Sequence, residues 1–250
     1  MKKLKKITKL NSVSLVIPFY NEELRLDYCF SVIEKFLRKK DKLFLEIIFV
    51  NDGSTDTSKE KILNFINKSK KKFFNTKIKL ISYKKNMGKG YAVKRGFLSS
   101  RCEWIITCDA DMSVLPDQFL IWVKKKFIKN KKCAYFGNRE DKKSVVQALL
   151  IRRIIGLILH IIILFLFNIN ISDTQCGFKV FHSNYIKKIF RKIQMKSYVY
   201  DIEVALALKQ KGIQIIELPL TWIHKKGSKV NIISDSIKLF FDLIVLKMRY

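Results

Sequence analysis

Trp104-Ile105-Ile106-Thr107-Cys108-Asp109-Ala110-Asp111 decides the architecture. The run Trp104–Cys108 has the length and apolar character of a buried strand, and two carboxylates leave its end at i and i+2. Unpaired charge at the end of such a strand is costly. A divalent cation bridging the pair to a diphosphate offsets the repulsion. Three apolar runs further upstream end in the same manner. Val13–Ile17 leads into Pro18-Phe19-Tyr20-Asn21-Glu22, and Leu43–Val50 into Asn51-Asp52-Gly53-Ser54-Thr55-Asp56. Ile78–Ser82 is followed by Asn86-Met87-Gly88-Lys89-Gly90. Open α/β sheets bind their ligands at the C-terminal ends of strands, where all four features fall.

Helical patterns separate these runs. Leu26, Phe30, Ile33 and Leu37 recur at helical spacing, and Thr57–Ser69 places Ile62, Leu63 and Ile66 on one side. Gly88–Ser99 is a third helix, and Leu115–Ile128, opened by Pro116, a fourth. Uniformly apolar strands alternating with helices predict an α/β fold with a mostly parallel sheet covered on both faces.

Residues 144–170 change character. Ser144–Phe167 is nearly all apolar, with Arg152, Arg153 and His160 inside it. Its clean run Ile154–Phe167 spans fourteen residues, or ~21 Å as a helix. A bilayer core needs about 20 residues, and extending the run upstream buries two arginines at roughly 2.5–3.5 kcal/mol each. The segment therefore reads as a helix at a membrane interface, its arginines meeting headgroups, or as one packed on the sheet. Residues 232–250 form an amphipathic helix with Asp235, Lys238, Asp242 and Arg249 on one face. Ile233, Ile237, Phe240, Phe241, Ile244 and Val245 fill much of the rest. The chain thus divides into a ligand-binding half (1–143), an apolar helix (144–170), a second half of the same domain (171–231) and a terminal helix (232–250). The downstream half is read as helical.

Composition narrows the class. Of 250 residues, 50 are Lys or Arg and 21 Asp or Glu, a formal charge of +29. A hydrophobic fraction of 48% excludes a disordered basic tail. Such charge attracts nucleic acid, anionic lipid or phosphorylated ligands. The sequence lacks the aromatic–basic interleaving of a nucleic-acid module, so no nucleic-acid partner is expected. Cysteines 29, 102, 108, 133 and 176 include no CxxC pair and no Cys/His cluster, which disfavours a disulfide framework or zinc site. The basic start, MKKLKKITKL, lacks a signal peptide's apolar core.

Singly, the strand-end motifs are weak. NDGSTD also reads as a turn with a helix cap, and NMGKG lacks P-loop spacing. Together, VSLVIPFYNE, FVNDGSTDTS, KNMGKGYAVKRGF and ITCDADMS resemble the nucleotide-sugar-binding half of family-two inverting glycosyltransferases of the GT-A fold. SDTQCGFKVF (172–181), YVYDIEVALALKQKG (198–212) and LPLTWIHKKGSKV (218–230) look like the dolichyl-phosphate β-glucosyltransferase group of that family. The resemblance covers nearly the whole chain, from about Ser12 to Tyr250.

That resemblance implies glucose transfer from UDP-glucose to a polyprenyl (dolichyl) phosphate with Mg²⁺ or Mn²⁺. It places Pro18, Tyr20 and Glu22 in the nucleotide pocket, Asp52 on the uracil ring and Lys89 near base or phosphate. Asp109 contacts ribose or metal-bound water, Asp111 ligates the metal, and Arg139 lies near the donor. The resemblance makes Asp173 a base or an acceptor-positioning group, or else a residue that holds a loop or orients the metal site. Lys179, Lys225, Ser228 and Lys229 suit a lipid phosphate or the donor diphosphate, and His224 reads as structural. Asp201 and Glu203 read as acids opening a helix. Only about twelve residues precede the first strand, which assigns attachment to the anionic membrane surface to the 144–167 and C-terminal helices. The expected location is the cytosolic face of the endoplasmic reticulum or of a bacterial plasma membrane. The nearest alternative is the same fold with another donor, such as GDP-mannose, or another acceptor.

Overall fold

The fold is described from a computed structural model covering residues 11–39, 43–70, 72–73, 75–147, 150–225 and 232–250, without the side chains of 150–157 and 232–237. Arg152, Arg153, Ser228, Lys229, Ile233, Asp235 and Ile237 therefore lie outside the described side chains.

The four expected strands are β1 (Ser12–Phe19), β2 (Phe44–Asn51), β3 (Thr76–Ser82) and β4 (Trp104–Thr107). They alternate with α1 (Leu26–Arg38), α2 (Ser58–Lys70), α3 (Lys89–Ser99) and α4 (Asp117–Lys124). Downstream come β5 (Cys133–Asn138), β6 (Val145–Gln147), α5 (Leu150–Phe167), β7 (Lys179–His182), α6 (Ser183–Lys192) and α7 (Tyr200–Gln210). The chain continues through β8 (Gln214–Pro219), β9 (Thr221–Ile223) and α8 (Ile232–Lys247).

Seven strands form one sheet in the order β3-β2-β1-β4-β7-β5-β8. All neighbours are parallel except β7, which runs antiparallel between β4 and β5. The connections reverse direction between β1 and β4, so a crevice opens past their C-terminal ends. Successive side chains point to opposite faces of a strand. Leu15, Ile17, Ile47 and Phe49 accordingly join one core with α1, α2 and Trp122 of α4. Val16, Ile48 and Val50 join another with α3, α6, α7 and the inner sides of α5 and α8.

Three expectations need correction. The fourth helix is shorter than Leu115–Ile128, because Lys126 adopts φ 57° just past α4. The helix expected from Ser144 starts at Leu150. Before it, the β-branched pair Val145-Val146 extends as β6 and pairs in parallel with β9. The downstream half is not purely helical, since β7 and β8 complete the main sheet. β7 escapes a hydrophobic-run reading because it opens on Lys179, a charge that its interior partner makes tolerable. Among the described residues no helix is long and apolar enough to cross a membrane.

Candidate active site

The loop after β1 is held open by the loop after β2. Asn21 takes φ 54°, and its Oδ1 accepts from the N–H groups of Thr55 (2.8 Å) and Asp56 (3.3 Å). The Ser54 and Ser58 hydroxyls accept from the N–H groups of Asn21 and Glu22 at 2.9 and 2.8 Å. Asp56 Oδ1 accepts from Ser58 N–H at the start of α2. NDGSTD is thus a turn and a clamp together. Asp52 extends the clamp to a third loop, its two oxygens accepting from Met87 N–H (2.8 Å) and Gly88 N–H (2.9 Å).

Gly88 sits at φ 96°, and a Cβ there would lie 2.4 Å from the Lys196 carbonyl oxygen. The same carbonyl accepts from Gly90 N–H at 2.7 Å, so the segment before α7 seats on the first turn of α3. Glu203 holds that segment from below, accepting from the Gln194 and Met195 N–H groups. Its neighbours Ser197 and Tyr198 then reach the crevice.

The outcome is a cleft of about 420 Å³. Pro18, Tyr20, Glu22, Asp52, Lys89, Asp109 and Asp111, all expected from sequence, line it together. Lys89 Nζ lies 2.6 Å from Asp109 Oδ1. Burial opposes charge on Asp109, but Lys89, with Lys179 and Arg139 further off, holds its carboxyl below the usual carboxylate range. Gly177 packs against this carboxylate so closely that a Cβ would fall 2.0 Å from Asp109 Oδ2. Asp111 Oδ1 accepts from Ser113 N–H at 2.9 Å, and its Oδ2 is 4.0 Å from Arg25.

Arg25 was not singled out in the sequence. Its guanidinium forks onto Glu22 with two 2.5 Å contacts, and the i, i+3 spacing at the start of α1 is the signal that would have found it. Lys238 and Asp242 of α8 also line the cleft. Their polar face was legible in the sequence; that it turns toward this crevice was not.

Arg139 and Asp173 lie outside the lining and bind each other. The guanidinium donates from Nε (2.7 Å) and Nη2 (2.8 Å), and the Arg139 N–H adds a third bond to the same carboxylate. Burial works against the Asp173 charge, yet these bonds hold its carboxyl below the usual range. Burial likewise opposes the charge on Arg139, and Asp173 outweighs it, raising the guanidinium pKa.

Lys179 is a correction. It is 1% exposed, its ammonium lies 2.6 Å from Asp201 and it donates to the Cys176 carbonyl. It cannot meet a lipid phosphate from there. Asp201 in turn is not merely a first-turn acid, for burial pushes its carboxyl up despite Lys179 and Lys89. Lys225 lies over the Tyr28 ring at 4.2 Å and donates to its hydroxyl, away from the cleft lining. His224 stacks on Trp222.

Among the described residues no three His, Cys, Asp or Glu side chains converge as a metal site. Asp109 and Asp111 offer oxygen donors alone, a set that suits Mg²⁺ or Mn²⁺ rather than a softer metal. The two carboxylates fit such an ion when ligand oxygens supply the remaining coordination.

An acidic pair at the reversal point of a mostly parallel sheet, facing a nucleotide-sized cleft, defines a GT-A glycosyltransferase. The profile of "Glycosyl transferase family 2" matches residues 14–190, and the chain belongs to that family. It is 35% identical over 251 residues to a dolichyl-phosphate β-glucosyltransferase of Saccharomyces cerevisiae, covering 95% of this chain and 75% of the relative. It is 32% identical over 247 residues to one from Dictyostelium discoideum, covering 95% and 74%. Among solved structures it resembles Mycobacterium tuberculosis glucosyl-3-phosphoglycerate synthase in complex with Mn²⁺, UDP and glucosyl-3-phosphoglycerate. The TM-score is 0.61 at 15% identity, over 95% of this chain and 80% of that one.

Proposed function

We propose that this enzyme transfers glucose from UDP-glucose to a polyprenyl (dolichyl) phosphate with inversion, at the cytosolic face of a membrane. The observation that carries the reading is the convergence of Asp52, Lys89, Asp109 and Asp111 in one cleft at the strand ends. The relatives named dolichyl-phosphate β-glucosyltransferase support the sugar and the acceptor.

In this reading Pro18, Tyr20, Glu22 and Asp52 receive the nucleoside, and Lys89 meets the base or phosphate side. Asp109 and Asp111 hold a Mg²⁺ or Mn²⁺, which when bound supplies positive charge for the departing diphosphate. The acceptor needs little activation. A phosphate monoester has its second pKa near ~6, so the attacking oxygen is already ionised at neutral pH. Asp173, saturated by Arg139 and held acidic, is then a positioning group for that arginine, which adds positive charge behind Asp109. The outward residues Ile158, Ile161 and Phe165 of α5 and Phe240 and Phe241 of α8 are exposed, and they would lie in the headgroup region.

The test is incubation with labelled UDP-glucose and dolichyl phosphate, with and without a chelator. An extractable, acid-labile glucolipid that disappears with chelator is expected. Faster turnover of GDP-mannose than of UDP-glucose would overturn the donor assignment.

A further inference from the structure

Helix α8 presents three faces. Leu243 and Leu246 are buried in the core, with Leu239 packed against it. Lys238 and Asp242, one turn apart, line the same cleft as Asp109 and Asp111. Phe240, Phe241, Ile244 and Val245 are exposed. Phe241 and Val245 follow Lys238 by three and seven residues, which makes them its neighbours along the helix surface. An apolar strip therefore starts at a cation on the cleft wall.

The other lining cations are committed. Arg25 is forked onto Glu22, and Lys89 is paired with Asp109. Lys238 has no ion pair or hydrogen bond among the described residues. A transferase acting on a lipid phosphate must hold a second anion within reach of the donor sugar. It must also let a hydrocarbon chain leave that anion without crossing polar surface.

Resting on the reading above, we infer that Lys238 binds the acceptor phosphate and that Phe241 and Val245 carry the first isoprenoid units away from it. The ligand is a long-chain prenyl monophosphate, its head in the cleft and its tail along α8. Its phosphate oxygen forms the bond to the anomeric carbon while the bond to the nucleoside diphosphate breaks, and the diphosphate leaves with the electron pair. A dianionic acceptor has no proton to surrender. Asp242 repels a phosphate and so confines it to the Lys238 end of the wall. This site takes the place of the buried Lys179 as the acceptor cation.

The experiment is equilibrium binding of labelled dolichyl phosphate in detergent micelles, measured beside UDP binding and glucose transfer. Lys238→Ala is expected to weaken dolichyl phosphate binding about tenfold, the loss of one charge-assisted contact. Lys238→Arg restores it, and UDP binding stays at the wild-type level in both. Phe241→Gln weakens dolichyl phosphate but not a short-chain prenyl phosphate, and inorganic phosphate competes poorly against the long-chain ligand. Unchanged dolichyl phosphate binding by Lys238→Ala, or an equal fall in UDP binding, overturns the inference. So does a wild-type protein that binds no dolichyl phosphate. Binding that depends on Lys238 without any glucose transfer leaves this site standing and removes the proposed reaction instead.

Discussion

At the scale of single residues, the acidic pair is tolerated because its surroundings offset its charge. Lys89 faces Asp109 and Arg25 stands 4.0 Å from Asp111. Asp111→Ala should lower kcat by about 100-fold or more, the scale of losing a group that stabilises developing charge, while its thermal melt stays near wild type. Steady-state transfer assays beside calorimetry check both. Gly177→Ala gives a more selective test. The three atoms nearest the added Cβ all belong to the Asp109 carboxylate, so an ångström-scale displacement should cost about 100-fold in kcat. Asp173 and the buried Glu46 are held below their ordinary values of 3.8 and 4.5, each against the opposing effect of burial. Arg139 does this for Asp173, and Lys79, Ser14 and the Arg101 N–H do it for Glu46. A depressed carboxyl pKa contributes stability above the unfolded value and loses it as pH falls through the folded one. The melting temperature should hold above about pH 4.5 and fall in more acid solution. Glu46→Gln should be less stable at neutral pH and lose less on acidification, as melts across a pH series will tell.

At the scale of elements, what the sequence revealed depended on whether a segment's own pattern decided its structure. β1 to β4 are apolar runs ended by turn-forming residues, and each was legible. The cleft was legible too, because Tyr20, Asp52, Lys89 and Asp109 sit at strand ends that parallel pairing must bring together. β6 was hidden because Val145-Val146 reads as the start of the apolar helix behind it. Only its partner β9, some 75 residues later, makes it extended. β7 was hidden because a buried lysine breaks its pattern, and the Asp201 that neutralises it lies on another element. Removing either member of that pair should strand the other in the core. Asp201→Ala is expected to destabilise the fold by about 3–5 kcal/mol, and the double substitution Lys179→Met with Asp201→Leu to recover most of it. Denaturant unfolding of the two variants beside the wild type measures this, and a double variant no better than the single one would contradict it.

At the scale of the whole molecule, charge and apolar surface combine. A formal charge of +29 accompanies outward apolar side chains on α5 and α8, Phe165 being 88% exposed. A basic residue near an anionic leaflet contributes about 1 kcal/mol, and a buried phenyl ring adds roughly 1.5–3 kcal/mol. The protein should cosediment with phosphatidylserine-containing vesicles and much less with neutral ones. Phe165→Asp should weaken that association while leaving the melting temperature unchanged, and equal partition onto both vesicle types would count against the arrangement. The antiparallel insertion of β7 between β4 and β5 has a further consequence for synthesis. As the nascent polypeptide leaves the ribosome, β3-β2-β1-β4 can assemble early, but the outer edge of β4 stays bare until His182 has emerged. An uncovered strand edge invites pairing with other chains. Arrest or premature termination in this interval should yield aggregates captured by chaperones, whereas the finished polypeptide has that edge sealed by its own later residues.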